Sequence, residues 1–215
     1  MEQRKRLVLV TIGVALTLFL AGSFYQIFRW PNQLAIEAKN SPTIGGLSAK
    51  LEMVAFEDFK CPHCCHFSKE IFPQIKAAYV DTGLARYTIV PLAFLDGSKV
   101  VANAVLAVYR QNPSRFLPFI QEVFTRCLAD DELGEKELFQ MAKEVGGINL
   151  ALFQWCLDTH CYYEELEKNL HGARKLMGRD FATPTLYVDG IFTPTSSFRS
   201  MQKRIEKILA QKENP

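Results

Sequence analysis

The sequence predicts an α/β chain, a mixed sheet with helices packed on it, preceded by an N-terminal segment of signal or membrane-anchor type. Three observations carry that class. Short apolar, β-branched runs flank a long helical stretch, giving the order strand, helix, strand, helical block, hairpin, helix. Asp189-Gly190 lies between two apolar runs, a strong short-range hairpin signal. A short basic head followed by an apolar run opens the chain.

The head is Met1-Glu2-Gln3-Arg4-Lys5-Arg6, and Leu7 to Leu20 is almost wholly apolar. Ala21-Gly22-Ser23 has the small residues of a cleavage site, so residues 1–29 read as a secretory signal peptide. The apolar run also continues to Phe28, long enough for an uncleaved anchor over residues 7–28, with the basic head kept inside. Both readings export the rest of the chain. Residues 30–50, with two prolines and Gly45-Gly46, read as a linker, and residues 51–215 as the domain.

Within that domain, Leu51 to Phe59 predicts a strand. Phe67, Ile71, Ile75 and Ala78 at helical spacing predict a helix from about Cys61 to Tyr79, stopped at Asp81-Thr82-Gly83. Ala85 to Phe94 predicts a second strand. Successive apolar stripes make 99–178 a helical block in several pieces, with Gly146-Gly147 as one stop. Thr185–Val188 and Ile191–Thr193 form the hairpin, and Ser200 to Lys212 the last helix. The chain has 215 residues, 48% hydrophobic and 22% charged, with a net charge of +2. This suits one domain with a real core, and no basic stripe argues for nucleic acid.

Export governs how the six cysteines read, because disulfides form and persist outside the cytoplasm. Residues 61 to 66 are Cys61-Pro62-His63-Cys64-Cys65-His66. As a redox pair, Cys61 and Cys64 would follow a strand and open a helix. There unpaired backbone N–H groups and the helix dipole favour an anion, lowering the pKa of Cys61. Pro62 suits the first helical turn, and His63 adds a donor. Stabilising the thiolate stabilises the reduced pair, which makes the disulfide a stronger oxidant. The rival is a Cys/His metal-binding chaperone using Cys61, Cys64 or Cys65 with His63 or His66. No second Cys-x-x-Cys and no His-x-His supports it. His66 and His171 read as solvent-facing, and Cys65 as a packed thiol.

The second motif is Ala182-Thr183-Pro184-Thr185, directly before a strand. With it the sequence resembles the thioredoxin-like fold carrying an inserted helical block, and closely the DsbA-like thiol:disulfide oxidoreductases of bacterial envelopes. The resemblance covers about Leu51 to Leu209. It includes Phe56-Glu57-Asp58-Phe59 leading into Cys61-Pro62-His63-Cys64, and Thr183-Pro184 ahead of Leu186-Tyr187-Val188-Asp189-Gly190. It implies catalysis by Cys61 and Cys64, tuning by Pro62 and His63, and a cis Pro184. Thr183 and Pro184 would then bind a substrate strand by β-augmentation. One departure stands out. Such proteins commonly carry a buried glutamate six residues before the first active cysteine, where this chain has Ala55. Glu57 points to the same side of the strand and is either its substitute or a surface carboxylate at a strand end.

The remaining cysteines allow one structural disulfide, Cys127 with Cys161, or Cys127 with Cys156. A Cys156–Cys161 bridge requires a helix break near Thr159-His160. The short linker leaves no room for the dimerisation domain typical of envelope isomerases, which favours a monomeric oxidase over an isomerase or reductase of the same fold. The resemblance implies reduced protein substrates, a membrane quinone-linked DsbB-like partner, no cofactor and no metal. It also implies location in the periplasm or cell envelope, with membrane contact only through the N-terminal segment.

Overall fold

The computed structural model describes residue 6 and residues 10–22, 38–129 and 132–213. These fall into two units, one within Met1–Ile36 and the other within Glu37–Pro215. In the first, residues 10–22 are helical with exposed apolar side chains. Much of the proposed anchor over residues 7–28 lies outside the described residues, at 7–9 and 23–28. No helix among the described residues is long and apolar enough to cross a membrane.

The second unit contains β1 (Thr43–Ile44), β2 (Leu51–Asp58), α1 (62–80), β3 (Ala85–Leu92) and α2 (Ser98–Gln111). It continues with α3 (Pro113–Leu128), α4 (Glu135–Val145), α5 (Leu150–Thr159), α6 (Tyr163–Met177), β4 (Thr185–Val188), β5 (Ile191–Thr193) and α7 (Phe198–Glu213). The sheet order is β1-β3-β2-β4-β5. At its centre β2 runs parallel to β3, with Met53 opposite Tyr87 and Glu57 opposite Pro91, and antiparallel to β4. Both central strands are buried almost throughout, because helices cover both faces. That explains their near-continuous apolar runs. The Asp189-Gly190 turn has positive φ at both residues, 48° and 78°, as a tight hairpin between β4 and β5 requires.

The domain starts earlier than the sequence predicts. Thr43 and Ile44, inside the expected linker, pair antiparallel with Thr88 and Tyr87. Two residues are too few to produce an alternating pattern, so the strand left no signal. Gly45, at φ 96°, then passes so close to β3 that a Cβ would meet the Ala85 carbonyl at 2.8 Å.

Helix α1 matches the predicted span but is not uniform. Pro62–His66 and Phe72–Ile75 are α-helical, whereas Phe67–Ile71 and Lys76–Val80 form wider π-type turns. The first wide turn ends where Phe72 N–H donates to the Phe67 carbonyl, just before Pro73, which has no N–H to offer. The helical block packs around α2, whose buried face includes Val101, Val105 and Val108. Inside it the buried Asn103 donates from Nδ2 to the Cys156 carbonyl at 2.9 Å and accepts from Tyr162 N–H at 2.9 Å. It thereby ties α2 to the α5–α6 junction.

The disulfides differ from expectation. Neither Cys127–Cys161 nor Cys127–Cys156 forms, and Cys65 is not a free packed thiol. Cys65 bridges to Cys127 with a Cα–Cα distance of 6.2 Å, and Cys156 to Cys161 at 5.1 Å. The first pairing arises because α1 lies against α3, so the buried Cys65 faces the last turn of α3. The second arises because the required helix break is present. His160 adopts φ 54°, ψ 43° and ends α5, and the Cys161 N–H returns to the Cys156 carbonyl at 3.3 Å.

The Cys65–Cys127 bond spans 62 residues and links the sheet's first helix to the block. Replacing both cysteines by alanine is expected to cost about 2–4 kcal/mol, read as a lower urea midpoint for the oxidised protein. An unchanged midpoint would show that the bond contributes nothing.

Candidate active site

The site begins where β2 ends. Asp58, wholly buried, accepts from Lys60 N–H on Oδ1 at 2.9 Å and from Phe94 and Leu95 N–H on Oδ2 at 3.0 and 3.3 Å. Its carbonyl accepts from Cys61 N–H at 3.0 Å. This turn delivers Cys61 to the N-cap of α1 in extended conformation, with Pro62 as the first helical residue. Cys61 keeps 7% of its surface exposed and Cys64 none, and both are free thiols.

The Cys61 thiol is lowered from the ordinary 9.0 to about 5. The leading cause is a hydrogen bond from the Cys64 thiol. Partial burial opposes it, and the Thr183 side chain and the N–H groups of Cys64 and His63 add to it. Thr183 Oγ1 is buried and makes no hydrogen bond of ordinary geometry. Cys64 moves the other way, far above the ordinary thiol range. Its burial is the main cause, with the neighbouring Cys61 and Glu57 charges reinforcing it. One sulfur is thus held as an anion and its neighbour as a thiol.

Thr183 and Pro184 stand against the pair from the far side of the fold. The Thr183–Pro184 bond is cis, and the Thr183 carbonyl lies 3.7 Å from Cys61 Sγ across 122 residues of sequence. A groove of about 440 Å³ opens here, lined by His63, His66 and Phe67 of α1 and by Ala182, Thr183 and Pro184. His66 is exposed and lies 3.6 Å from Glu70, one turn on.

Glu57 is buried, which resolves the alternative left open by the sequence. Its Oε1 accepts from Tyr87 OH at 3.0 Å, while Oε2 is buried without a partner. Its carboxyl is raised from 4.5 to about 7, by burial first. The Tyr87 bond pulls it down and the Cys61 charge pushes it up. Asp58 and Tyr87 are the residues that sequence reasoning passed over. Asp58 carried a faint signal, an aspartate two residues before a backbone N–H at a strand end. Tyr87 carried none, since a Tyr in an apolar strand reads as core.

The arrangement supports thiol–disulfide exchange: a thiolate that keeps a small part of its surface exposed, a fully buried partner thiol, and a buried acid that interacts with both. Among the described residues no group of three or more His, Cys, Asp or Glu stands together as metal ligands do.

Known proteins share this frame. A family model described as Thioredoxin matches residues 37–207. Disulfide bond formation protein D of Bacillus subtilis (strain 168) is 28% identical over 178 residues, 81% of this chain and 79% of that relative. The structure of oxidised BdbD from Bacillus subtilis is similar at a TM-score of 0.69 and 28% identity, covering 79% of this chain and 92% of that one. That of Chlamydia trachomatis DsbA is similar at 0.73 and 29%, covering 82% and 93%.

Proposed function

The chain belongs to the thioredoxin family, and from that premise we propose that it is an exported thiol:disulfide oxidoreductase that donates the Cys61–Cys64 disulfide to reduced proteins. The observation that carries this reading is the opposed state of the two thiols, with Cys61 drawn to about 5 and Cys64 wholly buried. A substrate thiolate attacks Cys61 Sγ, the Cys61–Cys64 bond breaks, and Cys64 leaves and takes a proton. The substrate's second thiolate then attacks its own sulfur in the mixed disulfide and expels Cys61 as a thiolate. The substrate is oxidised by two electrons and the pair is reduced by two.

A leaving group as basic as Cys64 needs a proton at hand, and Glu57 is the group beside it. With its carboxyl at about 7 it is divided between acid and base near neutral pH, as a group that both gives and takes a proton should be. It donates when Cys64 leaves and accepts when Cys64 must attack during recharging. Thr183 and Pro184 flank the groove in which an extended substrate segment would lie, with Thr183 offering backbone groups to it. Pro62 and His63 set the start of the helix that holds the thiolate. The same reading assigns recharging to a quinone-linked, DsbB-like membrane oxidase and the working location to the periplasm or cell envelope. The protein acts there as a monomer, cleaved from its leader or held by residues 7–28.

Trapping tests the order of events. Cys64→Ala, offered oxidised glutathione or a peptide whose cysteine is capped as an activated disulfide, is expected to accumulate an adduct on Cys61, with the cap leaving as a thiolate, that mass spectrometry detects and that does not resolve. An adduct that forms equally in Cys61→Ala would remove Cys61 from the first step.

A further inference from the structure

The acid beside Cys64 does not stand alone. Tyr87, on β3, is wholly buried, and its ring packs on Phe72 of α1 with centroids 4.9 Å apart. That contact leaves the ring little freedom, and the hydroxyl ends 3.0 Å from Glu57 Oε1. Tyr87 lies four residues before Pro91, the register partner of Glu57, on the same face of the parallel pair. The contact therefore depends on the length of the tyrosine side chain, and no shorter residue at this position would make it. The other carboxylate oxygen, Oε2, is equally buried and has no partner. Leaving such an atom unsatisfied costs stability, and a proton-transfer task accounts for its being kept.

We propose that Tyr87 is a positioning residue for the exchange reaction: by donating to Oε1 it fixes the Glu57 carboxyl and leaves Oε2 as the atom that exchanges a proton with Cys64. The inference rests on the reading of Glu57 as the proton partner of Cys64. In the recharging direction the Cys64 S–H proton moves to Oε2, and the Cys64 sulfur attacks Cys61 Sγ in a mixed disulfide. The bond from Cys61 to the partner's sulfur then breaks, and that sulfur leaves as a thiolate. No other oxidant is needed, because the partner's disulfide supplies the two electron vacancies. Throughout, the Tyr87 proton stays on its oxygen. The phenol is held well above its ordinary value, by burial first and by the neighbouring Glu57 next.

The groups that bear on Glu57 are Tyr87 from β3 and Cys61 from the start of α1. Glu57 in turn acts on Cys64. Of the influences on Glu57, burial and the Cys61 thiolate favour the protonated form, and the Tyr87 bond favours the carboxylate. Losing the phenol hydroxyl therefore makes Glu57 a less ionised base at neutral pH.

The test follows the pH profile of resolution, the rate at which a glutathione mixed disulfide on Cys61 is released by Cys64. In the parent protein the rate should rise through the Glu57 midpoint, which lies below the value of about 7 held beside the Cys61 thiolate because the mixed disulfide removes that charge. Tyr87→Phe keeps the ring and is expected to move the midpoint upward and slow resolution at pH 7 by up to about tenfold, with the loss recovered at high pH. An equal loss at every pH, with the midpoint unmoved, would mark Tyr87 as structural only and overturn the proposal. Glu57→Gln separates the two readings. If it leaves the midpoint in place, the role of Glu57 itself is wrong. If it removes the midpoint while Tyr87→Phe does not shift it, only the role of Tyr87 is wrong. Should Tyr87→Phe fail to fold, 3-fluorotyrosine at position 87 supplies the opposite perturbation. Its more acidic phenol donates more strongly and is expected to lower the midpoint, and an unmoved midpoint overturns the proposal.

Discussion

Cys61→Ala is expected to abolish oxidation of a reduced dithiol peptide, a fall on the order of 10³-fold or more in kcat/KM. The magnitude follows from the absence of a substitute among the described residues. Cys65, Cys127, Cys156 and Cys161 are all held in disulfides. Cys64 is fully buried and held far above the ordinary thiol range, so an incoming protein thiolate has no route to its sulfur and no good leaving group behind it. Steady-state turnover with a glutathione-recharged enzyme checks this, alongside a thermal melt to show that the variant is folded. Retention of even a tenth of the parent rate would move the chemistry to another sulfur.

A second large effect is a pH-dependent change in the stability of the reduced form relative to the oxidised one. Cys61 in the folded, reduced protein is lowered from 9.0 to about 5. Between those values the unfolded chain binds a proton that the folded protein does not, so the stability of the reduced form rises with pH across that window. The contribution is complete above the unfolded value and is lost as pH falls through about 5. The disulfide form has no such group. Glu57 works in the opposite sense. Raised from 4.5 to about 7, it stabilises the fold fully below 4.5 and loses that contribution as pH rises through about 7. Because Glu57 is present in both forms, most of its effect cancels in the difference. Melting temperatures of the reduced and oxidised proteins, compared at pH 4.5 and pH 7.5, are therefore expected to diverge, with the reduced form gaining at the higher pH. A difference that stays constant, or that falls with pH, contradicts a stabilised Cys61 thiolate.

Much of this was legible in the residues before any coordinates. The long central strands, Leu51–Asp58 and Ala85–Leu92, announce themselves because burial on both faces demands continuous apolar sequence. Cys61-Pro62-His63-Cys64 at a strand-to-helix junction predicts the thiolate from local geometry alone, because N-cap chemistry depends only on neighbours in sequence. The disulfides were not legible. Whether Cys65 meets Cys127 depends on which face of α1 packs on α3, a tertiary fact with no short-range trace. Cys156–Cys161 came closer, since its one requirement, a break at Thr159-His160, could be named although it could not be seen. Glu57 marks the boundary between the two cases. Period-two alternation places it on the correct side of β2, but its burial depends on the tyrosine of β3 that covers Oε1. The hexapeptide 61–66 likewise divides in a way that composition hides. Its first residue lies against the Thr183 carbonyl and its third and sixth line the groove, whereas Cys65 turns away into a bond with the helical block.

The central claim is that the fold stabilises the reduced pair and so makes the Cys61–Cys64 disulfide a ready donor. The direct measurement is the equilibrium of that pair with a glutathione redox buffer at pH 7, read by mass spectrometry after acid quenching and alkylation. Stabilisation of the Cys61 thiolate predicts a reduction potential well above that of thioredoxin, about −270 mV. A potential at or below that value would contradict it.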